Sequence, residues 1–392
     1  MMEILARTTA IAVAIAMTQG CIKDGGEQDP TSGPGDDAAD SPGGDEPGAS
    51  SEAGGTPTTT ATGGGGTTSV SGDDGNSEVD GDGGPPPIKL DVGGVADLGE
   101  LPCVSPPDTS CDHLDDDPWH AMGLNCPGGP QVDGTINLTG PQQIDVHQGN
   151  LGTYMPPPFP PREGTKFVIL SSGDASELPV PGTGGSTGID FFGGPLPPPL
   201  TPTPVSMTQD CNDNPGLIGT GDCSNTIQGQ WAQGDGSAYD YAEMRMTIDV
   251  PAGVPAFSYD FAMFSIEYPV FYQTEYNDMY IAWLESELWT GNISFDDMGN
   301  PISLNAGFLD YKDAPNPYDC PAPCQAPQLQ GTNMVGHAGT RWLTTTAGVV
   351  PGETIELILA VFDLSDSVLD TVIILDNFQW ACAGGPPSTI PG

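Results

Sequence analysis

A strict alternation of apolar and polar side chains over residues 243–250 is the sequence feature that most constrains the fold. A period of two indicates a strand with one buried face. The pattern continues after a Pro-Ala-Gly turn, and similar short apolar segments recur at 166–170, 279–284, 355–362 and 371–378. No long helical period competes with them. The alternating apolar residues are Met244, Met246, Ile248, Val250, Phe257, Tyr259, Phe261 and Met263. Short strands between loops rich in Gly and Pro predict an all-β fold, an antiparallel, jelly-roll-like β-sandwich.

The sequence predicts a disordered tether before this sandwich. Residues 22–98 consist of Gly, Ser, Thr, Pro, Asp and Glu with almost no large apolar side chains. Such a segment cannot bury enough apolar surface to offset the entropy of ordering it. A flexible chain of this length spans roughly 50 Å. We expect a signal peptide at 1–20, a tether at 21–98, a Cys- and Asp-rich part at 99–163, the sandwich at 164–383 and a tail at 384–392. The proline clusters at 156–161 and 195–204 are expected to form surface loops.

The first residues predict export. Arg7 precedes an apolar run of about ten residues, half of what a membrane-spanning helix requires, so the run suits a cleaved signal. The segment ends in Gly20-Cys21, which resembles the lipobox of bacterial lipoproteins and implies acylation of Cys21. Ile22 is not the Asp often linked to inner-membrane retention in lipoproteins, which favours a surface-exposed position on the outer membrane. Ordinary secretion with Cys21 as a spare thiol is the alternative.

Eight further cysteines are an even number, which suggests disulfides in an exported protein. We expect the local pairs Cys211–Cys223 and Cys320–Cys324, because each pair brackets a short loop. The remaining pairings stay open, and a zinc site is the rival interpretation. The eight residues are Cys103, Cys111, Cys126, Cys211, Cys223, Cys320, Cys324 and Cys382.

The formal charge of −45, with only eight basic residues, excludes two classes of partner. Nucleic acid needs Lys and Arg to replace its counterions, and anionic lipid surfaces attract basic segments. Divalent cations are the natural partners of so many carboxylates. Solubility alone is the competing explanation for any single acidic residue.

Three acidic segments are candidate calcium sites, because calcium takes six to eight hard oxygen ligands. The first segment lies between Cys111 and Cys126, and it lacks the glycine and the closing glutamate of an EF-hand. The second lies between two predicted strands, and the third joins two very apolar strands, where crowded carboxylates repel one another unless a cation or hydrogen bonds neutralise them. The candidate ligands are Asp112, Asp115 and Asp117 in the first, Glu267, Asn277 and Asp278 in the second, and Asp363, Asp366 and Asp370 in the third.

The second and third segments resemble the choice-of-anchor L domain family of bacterial surface proteins. The residues that carry the resemblance are Glu267-Tyr268-Pro269, Tyr276-Asn277-Asp278, Ala360-Val361-Phe362-Asp363, Asp366-Ser367 and Asp370, with 167–173 as the opening strand. The resemblance covers residues 164–382. It implies an extracellular β-rich domain, often found with adhesion or binding modules; the family brings no shared enzymatic activity with it. The Cys103–Cys126 region and the proline-rich insertions depart from the family's layout.

Taken together, these features predict a non-catalytic, lipid-anchored surface protein that is stabilised by calcium and binds a surface protein or a polysaccharide. Tyr272 and Tyr276 lie in a predicted loop and are candidate contacts for sugar rings, although aromatic residues near strands usually fill a core. A carbohydrate-binding module is therefore the first alternative. A hydrolase is the second, with Glu267 and Asp278 as the carboxylate pair that a glycosidase needs.

Overall fold

The computed structural model describes residues 103–107, 109–182, 193–202, 211–224, 227–314 and 324–392. All of them belong to one compact unit, Ile88–Gly392. The expected signal peptide, Cys21, the tether and Cys320 lie outside the described residues.

Strands dominate the described residues. The strands are β1 (Val132–Leu138), β2 (Ile144–Gln148), β3 (Lys166–Ser171), β4 (Ala238–Asp249), β5 (Ala256–Ser265), β6 (Met279–Glu285), β7 (Thr290–Asn292), β8 (Tyr311–Lys312), β9 (Ala338–Gly339), β10 (Leu343–Gly348), β11 (Thr354–Leu364), β12 (Thr371–Ala381) and β13 (Ser388–Pro391). The described residues also contain two short helices, α1 (Pro118–Ala121) and α2 (Ile227–Trp231). They contain four 3-10 turns as well, at Pro141–Gln143, Ala175–Glu177, Pro215–Leu217 and Pro327–Leu329. None of the described helices has the length and apolar character needed to cross a bilayer.

The strands form two antiparallel sheets, which confirms the predicted all-β sandwich. The small sheet has the order β1-β4-β11-β6-β7. The large sheet has the order β13-β10-β5-β12-β3-β2, and β8 and β9 extend it beside β5. All six predicted strands are confirmed, each within a few residues of its predicted ends.

The main core lies between the two sheets. In β4 the predicted inner face is confirmed, because Met244, Met246 and Ile248 are fully buried there. The strands β5, β6, β11 and β12 contribute alternate residues to the same core, including Tyr259, Tyr280, Leu357 and Ile373. Burial of this apolar surface is the main term that favours the folded sandwich.

The proline-rich clusters do more than form surface loops. Phe159 is fully buried against Phe264 on the outer face of the large sheet, with ring centroids 4.9 Å apart. Leu196 and Leu200 are buried on the outer face of the small sheet together with Trp231 of α2. These segments therefore cover apolar outer faces that would otherwise be exposed to water.

Three disulfides join described cysteines: Cys103–Cys382, Cys111–Cys126 and Cys211–Cys223. The last agrees with the predicted local pair. Cys324 is also disulfide-bonded, while its expected partner Cys320 lies outside the described residues.

Candidate cation centre and binding loops

Strands from both sheets bring acidic residues together at one end of the sandwich. Glu267 follows β5 and Asp370 precedes β12, and these two strands pair through Ser265 and Thr371. Asp278 precedes β6 and Asp363 lies near the end of β11, and these two strands pair through Met279 and Phe362. The four carboxylates thus lie where the two sheets end side by side. We call Glu267, Asp278, Asp363 and Asp370 the carboxylate centre.

Asp363 is the most constrained member of the centre. Its side chain has no exposed surface, and neither carboxylate oxygen has a hydrogen-bond partner. The Ser172 hydroxyl lies close enough to lower the pKa of Asp363, but it donates to the Thr371 carbonyl at 3.4 Å. Burial, together with the charges of Asp278 and Asp370, holds the pKa of Asp363 well above its usual range. A buried carboxylate without a partner is costly unless a proton or a cation neutralises it.

The small sheet contains a β-bulge next to Asp363. The pairing of β11 with β4 shifts between Val361 and Asp363, so that β4 carries one extra residue. Asp240 lies in this bulge with a φ of 48° and is 1% exposed. Its charge further raises the pKa of Asp363. Bulges frequently re-aim side chains beside functional sites.

Asp278 connects the two sheets. One carboxylate oxygen accepts the Leu364 N–H of the small sheet at 3.1 Å, and the other accepts the Thr371 hydroxyl of the large sheet at 2.7 Å. These bonds favour the charged form. Burial is the larger effect, and together with the charges of Asp366 and Asp370 it raises the pKa of Asp278 to about 7.

Glu267 is 1% exposed, and its Oε2 atom has no hydrogen-bond partner. Burial raises its pKa to about 10, with further contributions from the charges of Asp278, Asp366 and Asp370. Its backbone carbonyl accepts the Phe271 N–H at 3.0 Å and so begins the loop that leads to β6. The structure therefore places this predicted ligand beside Asp278.

Two further predicted ligands lie at the edge of the centre. Asp366 is half-buried, and burial raises its pKa although the Val368 N–H donates to it at 3.2 Å. Asn277 is fully buried and ties the loop to its neighbours: its amide donates to Gln230 of α2 at 2.9 Å and its carbonyl oxygen accepts the Asn305 N–H at 2.8 Å. Asn277 therefore positions the loop through bonds to protein atoms.

The carboxylate centre offers several hard oxygen donors that are buried away from water. Among the described residues, no three Asp, Glu, His or Cys side chains already converge as a metal-binding group. The carboxylates can be neutralised in two ways: they can retain protons at neutral pH, or they can rotate toward a shared cation. Calcium suits such donors because it accepts variable geometry and carboxylate oxygens.

The structure separates the three residues of the first acidic segment. Asp112 is 2% exposed and accepts the backbone N–H groups of Thr165 and Lys166. Asp115 accepts His120 Nδ1 at 2.8 Å, and Asp117 caps α1 through the Trp119 N–H at 2.9 Å. Each carboxylate thus has its own partner within the protein, and in the described part of the chain the three do not converge as one metal-binding group.

The loop between Glu267 and Asp278 connects two members of the carboxylate centre and carries the candidate binding residues. Tyr272 and Tyr276 are half-exposed, as is Phe271, whose ring lies 5.1 Å from that of Tyr276. The Lys312 ammonium lies 4.9 Å from the Tyr272 ring centroid, within the range of a cation–π contact. Ser365 donates to the Glu275 carbonyl at 3.0 Å and so ties this loop to the one after β11.

The sequence reasoning missed Asp240, Ser172 and Thr371. Asp240 was detectable as an acidic residue between two tyrosines just before the alternating segment. The two hydroxyls gave no signal, because their role depends on strand ends that meet only in the folded chain: the Thr371 N–H donates to Ser172 Oγ at 2.9 Å.

Compared with known protein families, curated proteins and solved structures, the chain matches none of them.

Proposed function

We propose that this chain is a non-catalytic binding protein, anchored by a lipid on Cys21 at the surface of the bacterial outer membrane and stabilised by calcium. The observation that carries the calcium part is Asp363, a fully buried carboxylate with two unpartnered oxygens beside other carboxylates. A cation that draws Asp363, Asp278 and Glu267 together would join the two sheets beneath the loops after β5 and β11. The resemblance to choice-of-anchor L domains at the same residues is consistent with this role in adhesion.

The two loops above the carboxylate centre form the proposed binding surface. Val270 is 65% exposed and Val368 is 51% exposed, and large apolar side chains with that exposure commonly mark interaction sites when they are grouped. The loops rest on a centre that a cation would make more rigid, and a rigid loop loses less entropy on binding. A surface protein or a polysaccharide is the expected partner.

A carbohydrate-binding role is the second candidate, and the half-exposed aromatic side chains favour it. Phe271, Tyr272 and Tyr276 present rings beside the polar groups of the same loop, as sugar recognition requires. A hydrolase is less well supported, because Glu267 and Asp278 are each only 1% exposed and a polymeric substrate could not reach them without movement of the loop.

Replacement of Cys21 tests the anchor. Cells that express the wild-type chain should incorporate a radiolabelled fatty acid into this protein, and Cys21→Ser should lose the label completely, because the thiol is the only proposed acceptor. Cys103→Ser is the matched control and should keep the label, since Cys103 is used in a disulfide. A label that persists in Cys21→Ser would contradict the anchor.

Replacement of the loop aromatics tests the binding surface. On a glycan array in calcium, Tyr272→Ala and Tyr276→Ala should each reduce retention at least tenfold if sugar rings stack there, a change of about 1.4 kcal/mol. Tyr154→Ala, at a half-exposed tyrosine of another loop, should leave retention unchanged. Attachment of expressing cells to one another is measured in parallel, and its loss in both variants without glycan retention would favour a protein partner. Unchanged behaviour in both assays would rule out this loop as the contact surface.

A further inference from the structure

A disulfide attaches the chain at Cys103 to the end of a central strand of the large sheet. Cys103 is bonded to Cys382, the residue that directly follows β12, with 5.6 Å between the two Cα atoms. Ser105 donates to the Trp380 carbonyl at 2.8 Å and holds the same segment against β12. A pull on the chain before Cys103 is therefore delivered to the Cys382 end of β12.

β12 runs from this attachment to the carboxylate centre. It pairs with β5 on one side over nine residue pairs, from Thr371↔Ser265 to Ala381↔Ala256, and with β3 on the other. Its eleven residues span about 35 Å at the usual rise of a strand. The attachment and the proposed binding loops thus lie at opposite ends of the same strand pair.

We infer that the fold has a mechanical function: it transmits tension between its N-terminal segment and its loops through shear of β12 against β5. The Cys382 end of β12 is pulled one way, and β5, whose Ser265 end leads into the Glu267–Asp278 loop, is pulled the other way. Cross-strand hydrogen bonds lie perpendicular to the strands, so a pull along the strands loads all of them at once. A pull across a sheet edge would instead break them one after another.

The disulfide is what directs tension onto this strand pair. Without it, a pull would pass through residues 103–131 to β1, an edge strand of the small sheet that pairs only with β4 among the described strands. Residues 103–117 are held to the sheet mainly by single side-chain contacts, such as those of Asp112 and Asp116 with Lys166 of β3. That segment would be stripped from the domain at low force.

The direction of pull rests on the proposed lipid anchor, whereas the path through the fold rests on the disulfide and the strand order alone. An experiment on the purified protein therefore tests the force path separately from the lipid anchor. Either hypothesis can be wrong while the other remains correct.

Single-molecule pulling tests the inference. The full chain, produced without acylation of Cys21, is held through the free thiol of that residue and through an azide-bearing residue introduced in place of the exposed Val270. Apart from the stretching of the predicted tether, which the wild type and the variant share, the wild type should unfold without an early extension. The Cys103→Ser/Cys382→Ser double variant should show an early extension of up to about 50 Å, the length of residues 103–131 outside the ring closed by Cys111–Cys126. It should then unfold at least about tenfold faster at the same force, since forced unfolding reports the unfolding rate.

A second pulling direction controls for a general loss of stability. When the force is applied between residue 270 and the C-terminus at Gly392, it reaches the Cys382 end of β12 along the backbone, whether or not the disulfide is present. The double variant and the wild type should then unfold at similar forces once β13 has separated from β10. An equal reduction in both directions would show only a destabilised domain, and no reduction in the Cys21 direction would show that the disulfide carries no tension. Either result overturns the inference.

Discussion

Calcium should raise the thermal midpoint of the full chain, and Asp363→Asn should remove most of that rise. A ligand at 100 times its dissociation constant stabilises the folded state by about 2.7 kcal/mol, which corresponds to a shift of roughly 4–5 °C for a domain of this size. The rise is expected because a cation would neutralise Asp363 and its neighbours, which burial keeps from water. Unfolding in millimolar calcium and in chelator, followed by circular dichroism, measures the shift.

The same substitution should have the opposite effect in chelator. There Asp363→Asn should be more stable than the wild type by about 1–3 kcal/mol, since an amide of the same shape carries no charge that burial would penalise. A stability advantage of the variant in chelator that shrinks by about 2–3 kcal/mol or reverses in calcium distinguishes a ligand from a residue that merely packs. Removal of a structural hydrogen bond would lower stability in both conditions.

Asp115→Asn is the matched control, because Asp115 belongs to the first acidic segment and its partners are His120 and the Asp117 N–H. Its calcium response should equal that of the wild type. If calcium shifts neither protein, or shifts Asp363→Asn as much as the wild type, then the carboxylate centre binds no calcium. If Asp115→Asn loses the response instead, the site lies in the first segment.

The sandwich was predictable from the sequence because its central strands follow simple burial patterns. In β4 and β5 the alternation is regular, and in β11 and β12 the residues are apolar enough to be buried on both faces. Strands at or next to the sheet edges were missed because their burial patterns are weak. β1 contains Gly134 and Asn137, and β10 contains three consecutive threonines, so neither carries a hydrophobic pattern strong enough to stand out.

The carboxylate centre was only partly predictable. Acidic residues next to apolar strands could be identified, because Glu267, Asp278, Asp363 and Asp370 flank segments with clear strand patterns. Their meeting in space depends on the pairing of β5 with β12 and of β6 with β11, which local patterns do not determine. Asp240 joins them through a bulge, and a bulge shifts register without an unambiguous sequence signal.

Long-range features were the least predictable. Cys103–Cys382 links residues that are 279 positions apart, and spacing alone cannot select one pairing among the many that eight cysteines allow. The prediction that the proline-rich segments form only surface loops was wrong for another reason. Their prolines correctly indicate irregular backbone, but Phe159, Leu196 and Leu200 within them pack on the sheets, because apolar outer faces must be covered.

In chelator, the free energy of unfolding should fall as the pH rises from about 5 to about 8. Glu267 and Asp278 have folded-state pKa values of about 10 and about 7, both above those of the unfolded chain. The folded protein therefore holds more protons than the unfolded one in this window, and stability decreases with pH wherever that is so. The stabilisation is fully present below about pH 4 and is lost as the pH passes each folded-state pKa.

The size of this loss in the free energy of unfolding follows from the linkage between proton binding and folding. Each proton that the folded state retains and the unfolded chain has lost contributes about 1.4 kcal/mol per pH unit. Glu267 retains its proton from pH 5 to pH 8 and Asp278 retains its proton up to about pH 7, so a loss on the order of 6 kcal/mol is expected in this window. Calcium should flatten or reverse the slope, because it competes with protons for the same carboxylates and binds best when they are ionised. Urea unfolding at four pH values, with calcium and with chelator, measures both slopes.

These two slopes distinguish the two ways of neutralising the centre. A negative slope in chelator that calcium removes means that protons and calcium occupy the same carboxylates. A negative slope that calcium leaves unchanged means that protons alone neutralise Glu267 and Asp278, and that the centre is a buried acid cluster within an otherwise apolar sandwich. A flat profile in chelator would contradict the raised pKa values themselves. Hydrogen bonds such as those from Leu364 and Thr371 to Asp278 would then be sufficient to keep these side chains ionised inside the fold.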